Sequence, residues 1–162
     1  MQPGQILVAE HDGVYVIKMV GDVRLTLCIS FDQFIDSMLE DSDFCSILFD
    51  LTGAEAIDST TLGLMAKISI LGNQRRGIVP VVVSTNPSIN RLLESMGFED
   101  IFEIIHEPAA AVTDATCLPV AEVSEQVVKG KVLEAHRILM GLNETNRETF
   151  RDLVKSLERP GC

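Results

Sequence analysis

The sequence is short of positive charge: 13 Lys and Arg stand against 24 Asp and Glu, a net −11 over 162 residues. Binding to nucleic acid needs a basic footprint that displaces counterions from phosphates, so that class of partner is disfavoured. Long apolar runs are missing too, and the longest, at 78–83, is far too short to span a bilayer. The opening MQPGQILVAE has neither the basic region nor the apolar stretch of a secretory signal, so a cytoplasmic protein without direct membrane insertion is expected. Cys28, Cys45, Cys117 and Cys162 are widely and irregularly spaced, with no CxxC pair, and His11, His106 and His136 are scattered. Zinc, disulfide and Cys/His nucleophile readings are therefore weak, and no metal or cofactor is implied. Cys28 and Cys45 read as small apolar core residues. No Gly-x-Ser-x-Gly elbow occurs and no base is placed near a serine by spacing, so an enzyme is not expected.

What is present is apolar content: 46% hydrophobic residues and a mean hydropathy of +0.24, too apolar for a disordered chain. Charge is unevenly placed. Residues 1–106 carry 6 Lys/Arg against 15 Asp/Glu, whereas residues 107–162 carry 7 against 9. An acidic front and a near-neutral tail suggest two segments with different surfaces, and a protein partner with a basic patch.

Residues 6–20 read as two strands joined at Asp12-Gly13, a strong hairpin signal. Ser30 and Gln33 make a capping box ahead of a helical stripe, Phe31, Phe34, Ile35, Met38 and Leu39, reaching Asp41. Residues 45–51 form an apolar run suited to a strand buried on both faces, closed by a turn at Gly53. Leu62, Met65 and Ile68 then share one face of a helix that ends at Arg75, Arg76 and Gly77, the arginine pair reading as a solvated helix end. A second buried strand at 79–84, a helix opened by Asn86-Pro87 and a last strand at 101–105 complete the order ββαβαβαβ. That order calls for an α/β fold: a small mixed sheet with helices on one face, held in residues 1–106, with the 45–51 and 79–84 strands parallel neighbours.

Residues 107–120 are small and proline-bounded and read as a linker. Residues 121–162 read as a helical extension whose apolar positions include Val128, Val132, Leu139, Phe150, Leu153 and Leu157, with a break between Gly141 and Asn146. The extension can dock on the domain, form a homodimer or hold a second partner, and the sequence leaves the three open.

One segment concentrates the chemistry, Asp58-Ser59-Thr60-Thr61-Leu62-Gly63, between a buried strand and an amphipathic helix. Asp58 and Ser59 are both good helix caps, which accounts for them without any function. A serine at a helix N-terminus also faces unpaired backbone N–H groups that tolerate a phosphate. The same phosphate adds roughly −1.5 to −2 charges to a surface that a partner must touch.

The run ILFDLTGAEAIDSTTLGLM is similar to the signature of the STAS family (sulfate transporter and anti-sigma factor antagonist domains). VGDVRL at 20–25 resembles the family's turn after the second strand, and VVVSTNPSINRLLESMGFEDIFEI resembles its last third. The resemblance covers about residues 5–106 and implies an anti-sigma factor antagonist. Unphosphorylated, it would bind an anti-sigma factor with serine kinase activity; phosphorylated, it would let go, and a PP2C-type phosphatase would restore it. By position Ser59 matches the phosphorylated serine and Asp58 the acidic residue before it, with Glu55, Asp58, Ser59, Thr60 and Thr61 as the partner-binding set. Where the family commonly has Ser-Gly this chain has Thr60-Thr61, so Thr60 becomes a second candidate acceptor. The long tail resembles the HsbA group of gammaproteobacterial antagonists, linked to motility and biofilm control. An alternative implied by the same family is a subunit of a lipid-transport ATPase assembly in the membrane.

Overall fold

The computed structural model describes residues 2–108 and 115–159. The elements run β1 (Gln5–His11), β2 (Val14–Val23), α1 (Cys28–Glu40), β3 (Ser46–Ile57), α2 (Ser59–Arg76), β4 (Val81–Val83), α3 (Pro87–Ser95), β5 (Glu103–Ile105), β6 (Thr116–Cys117), α4 (Glu125–Met140) and α5 (Glu144–Glu158). They build one mixed sheet in the order β5-β4-β3-β2-β1-β6. β1 is antiparallel to β2 and β6, while β2, β3, β4 and β5 run parallel. Among the described residues no helix is long and apolar enough to cross a membrane.

The hairpin forms where Asp12-Gly13 places it. Both residues have positive φ (50° and 83°), the backbone twist that a two-residue turn between antiparallel strands demands. A Cβ on Gly13 would also lie 1.7 Å from the Asp43 carbonyl oxygen, so a side chain is excluded on space as well. Along β2 the period of two is regular: Tyr15, Ile17, Met19, Gly21 and Val23 are buried and the residues between them are partly exposed. β3 and β4 are parallel neighbours as expected, pairing Leu48 with Val81 and Asp50 with Val83.

Several local expectations are corrected. No turn occurs at Gly53; β3 continues to Ile57, because the ten-residue β2 offers Val20 and Val23 as partners for Gly53 and Ile57 across two register shifts. α1 starts two residues before Ser30, and the Ser30 hydroxyl is no cap: it donates to the Pro119 carbonyl. Cys28 is buried, but Cys45 is exposed at the strand entry. Arg75 is solvated, whereas Arg76 donates to the Phe44 and Leu39 carbonyls (2.8 and 3.2 Å) and lies over the Phe44 ring at 5.5 Å. Cys162 lies outside the described residues.

α2 is buried around most of its circumference, Thr60 to Ala66 without a gap, then Ile68, Ser69 and Gly72. A helix resting on a sheet alone would show one apolar stripe. Burial on a second side comes from α4, which packs along α2 and is joined to α5 as a helical hairpin. Ser124 and Asn143 cap the two helices, accepting from the Val127 and Asn146 amides (3.3 and 2.8 Å). Leu139, Phe150 and Val154 are buried, while Leu153 is 41% exposed. Asn146 is buried too; its Nδ2 donates to the Met96 and Leu139 carbonyls (2.9 and 3.0 Å), tying the hairpin to the end of α3. Within the segment read as a linker, Thr116–Cys117 pairs with Val8 and Leu7 at the sheet edge.

Candidate functional site

The extension of β3 past Gly53 delivers Asp58, in extended conformation, to the mouth of α2. One carboxylate oxygen accepts from the Thr61 amide (2.9 Å) and caps the helix; the other accepts from the Leu25 amide (2.6 Å). Asp58 thus fixes the start of α2 against the short turn Leu25–Leu27 that leads into α1.

Ser59 is the first residue of α2 and is half-buried. Its hydroxyl is engaged: Ser59 Oγ lies 2.7 Å from Nε2 of His136 on α4. His136 is only 2% exposed, and its Nδ1 is 2.7 Å from the Val132 carbonyl, which can only accept. Nδ1 therefore carries the proton in the neutral ring, and Nε2 offers a lone pair to the Ser59 O–H. The Phe150 ring packs edge-to-face with the imidazole, with centroids 5.1 Å apart at 70°.

Thr60 and Thr61 are 2% and 1% exposed, enclosed in the first turn of a helix covered from two sides. Neither is open to a partner in this form, and Thr60 is not accessible as a second acceptor. Glu55 is exposed, and its carboxylate accepts from the Gln2 amide (3.1 Å). Of the five residues expected to meet a partner, Glu55, Asp58 and Ser59 are therefore at or near the surface and the two threonines are not.

Sequence reasoning missed His136. It lies 77 residues from Ser59 and belongs to no motif. The available signal was its place on the tail's apolar stripe, four residues after Val132 and three before Leu139. A histidine thus stands within hydrogen-bond reach of Ser59, where spacing along the chain places no base. Two clefts lie elsewhere. One of about 420 Å³ is lined by Ser69, Asn73, Glu99 and Phe102, and one of about 320 Å³ by Asn90, Glu94 and His106; neither includes Ser59 or His136.

A four-membered ion cluster fixes α4 beside the site. Lys67 on α2 binds Asp32 on α1 (2.8 Å) and Glu134 on α4 (2.7 Å). Lys131 on α4 binds the other oxygen of Asp32 (2.6 Å) and Glu134 (2.7 Å). Burial alone would push both carboxyls up, but the ammonium groups outweigh it and hold Asp32 and Glu134 below their ordinary values. The same pairs raise Lys67 and Lys131 above theirs against the opposing effect of burial.

Nothing among the curated proteins matches the chain. The crystal structure of an anti-sigma factor antagonist from Mycobacterium paratuberculosis is similar in fold, with a TM-score of 0.53 at 24% identity over 63% of this chain and 85% of that one. The family model for the STAS domain matches residues 5–111, the sheet and helices that carry Asp58 and Ser59. The chain belongs to the STAS domain family.

Proposed function

We propose that this protein is an anti-sigma factor antagonist, a binding module rather than an enzyme, whose grip on its partner is switched by phosphorylation of Ser59. The observation that carries the reading is the position of Ser59 at the N-terminus of α2, one residue after the capping Asp58, on the family's Asp-Ser motif. Backbone N–H groups of the first turn favour an anion there, so a phosphate leaves the fold intact while changing the charge that a partner meets. The partner is a basic-patched anti-sigma factor with serine kinase activity, countered by a PP2C-type phosphatase, and it meets Glu55, Asp58 and Ser59. A loss of about 3 kcal/mol on phosphorylation would weaken binding more than a hundredfold.

Incubation with the cognate kinase and ATP, followed by peptide mass spectrometry, tests the reading. Wild type should be labelled on Ser59, Ser59→Ala should not, and Thr60→Ala should be labelled normally because Thr60 is enclosed. Ser59→Ala should bind the anti-sigma factor whether or not ATP is present. Labelling of Ser59→Ala equal to wild type, or equal binding of phosphorylated and unphosphorylated protein, would overturn it.

A further inference from the structure

We infer that the α4–α5 hairpin is a lid, which in this closed form covers the α2 face and withholds the Ser59 hydroxyl from any phosphoryl donor. The inference rests on the reading of Ser59 as the phosphorylated residue and adds a layer of control that acts before the kinase.

Besides the Asn146 tie to the end of α3, three contacts close the hairpin beside Ser59. The Ser59 hydroxyl is already hydrogen-bonded to a buried imidazole on α4, whose other nitrogen donates to the Val132 carbonyl. Phosphoryl transfer to a serine needs the attacking oxygen in line with the γ-phosphate and its proton directed to a base of the kinase. Under the lid the hydroxyl is engaged by His136 instead, and α4 stands beside it. The second contact is the approach of α4 to α2 at Gly63. A Cβ built there would fall 2.3 Å from the Ala135 carbonyl oxygen and 2.7 Å from its Cα, so the two helix backbones meet with no side chain between them. The third is the ion cluster, in which Lys67 and Asp32 belong to the STAS domain and Lys131 and Glu134 to the lid.

The contacts lie on the face of α2 that begins at Ser59, so a partner reading Ser59 and the start of α2 competes with the lid for the same ground. If only the open form is competent, labelling rate and partner affinity are both reduced by the open fraction. Changes that open the lid without altering the domain should raise both.

Gly63→Ala supplies a wedge. Alanine is the better helix former and fits α2 itself, but its methyl cannot coexist with the Ala135 backbone in the closed position. Glu134→Lys is the second variant, confined to the lid, and sets a third ammonium against Lys67 and Lys131. Hydrogen exchange on the full chain should show α4–α5 amides exchanging at least tenfold faster in both variants, with β2 and β3 unchanged. A thiol probe then reports access without any kinase. In a chain carrying Ser59→Cys, with Cys45, Cys117 and Cys162 replaced by serine, maleimide should label position 59 at least tenfold faster when either opening variant is added. With the kinase, Ser59 should be phosphorylated at least tenfold faster in Gly63→Ala than in wild type. Unchanged maleimide rates despite faster α4–α5 exchange would overturn the lid, as would unchanged phosphorylation rates. Faster maleimide labelling in a protein whose Ser59 no kinase phosphorylates would support the lid while removing the phosphorylation reading, so the two failures are distinguishable.

Discussion

Asp32→Ala should detach α4 from the domain and lower the melting temperature by about 6–12 °C. Asp32 is the only member of the ion cluster on α1, its side chain is 9% exposed, and it accepts from both lysines. Without it, Lys67 and Lys131 face each other with Glu134 alone between them. Removing one partner of a buried ion pair costs about 3–5 kcal/mol, and the lower end applies because Glu134 is 35% exposed and water reaches the cluster. For a chain of this size each kcal/mol moves the melting point by about 2–4 °C. The same cluster sets a pH window. Asp32 and Glu134 titrate below their ordinary 3.8 and 4.5, so the stabilisation is complete above those values and is lost as pH falls through the lowered ones. Lys67 and Lys131 titrate above 10.5, so their contribution is complete below that value and is lost as pH rises through the raised ones. Thermal melts from pH 2 to 7 should show an acid limb in wild type that is smaller in Asp32→Ala. An acid limb of equal size in both proteins would mean that other carboxylates cause it.

Much of the domain is legible in the sequence because its signals are local. Asp12-Gly13 fixes a turn by its own backbone preference, Asn86-Pro87 starts a helix by capping and fixed φ, and Gly77 ends another. The apolar run at 45–51 announces a central strand. What the sequence conceals depends on residues far apart in the chain. Whether β3 turns at Gly53 or continues depends on the length of β2, and Ser30 chooses between its own helix and Pro119, 89 residues away. The site divides in the same way. Asp58 and Ser59 stand in a recognisable motif, but the partner of Ser59 is a histidine whose meaning comes only from the docking of α4. The unbroken burial of α2 from Thr60 to Ala66 has the same origin. Its non-stripe residues Gly63, Leu64 and Ala66 are the trace of a second packing surface, legible as such once the tail is known to return.

Phe150→Ala should be the most damaging single change in the tail and should act on the site from a distance. The ring is 8% exposed on α5 and packs edge-to-face with His136, the group that binds Ser59. Truncating a buried phenylalanine costs about 3–5 kcal/mol, through lost transfer free energy and the cavity left behind. If the hairpin and the sheet melt together, the melting point falls by about 6–20 °C. If they do not, calorimetry should show an early transition belonging to α4–α5 and an unchanged later one belonging to the sheet. Leu153→Ala is the matched control. Leu153 sits three residues on, at 41% exposure, on the outer side of the same helix. A surface substitution of that kind stays within about 0.5 kcal/mol, or a shift of roughly 1–2 °C. A loss for Leu153→Ala as large as that for Phe150→Ala would mean that α5 presents its other face to the domain, and the contact between Phe150 and His136 would then be wrong. With the expected asymmetry, the imidazole loses its support in Phe150→Ala alone, and exchange of the α4 amides around His136 should rise in that variant and not in the control.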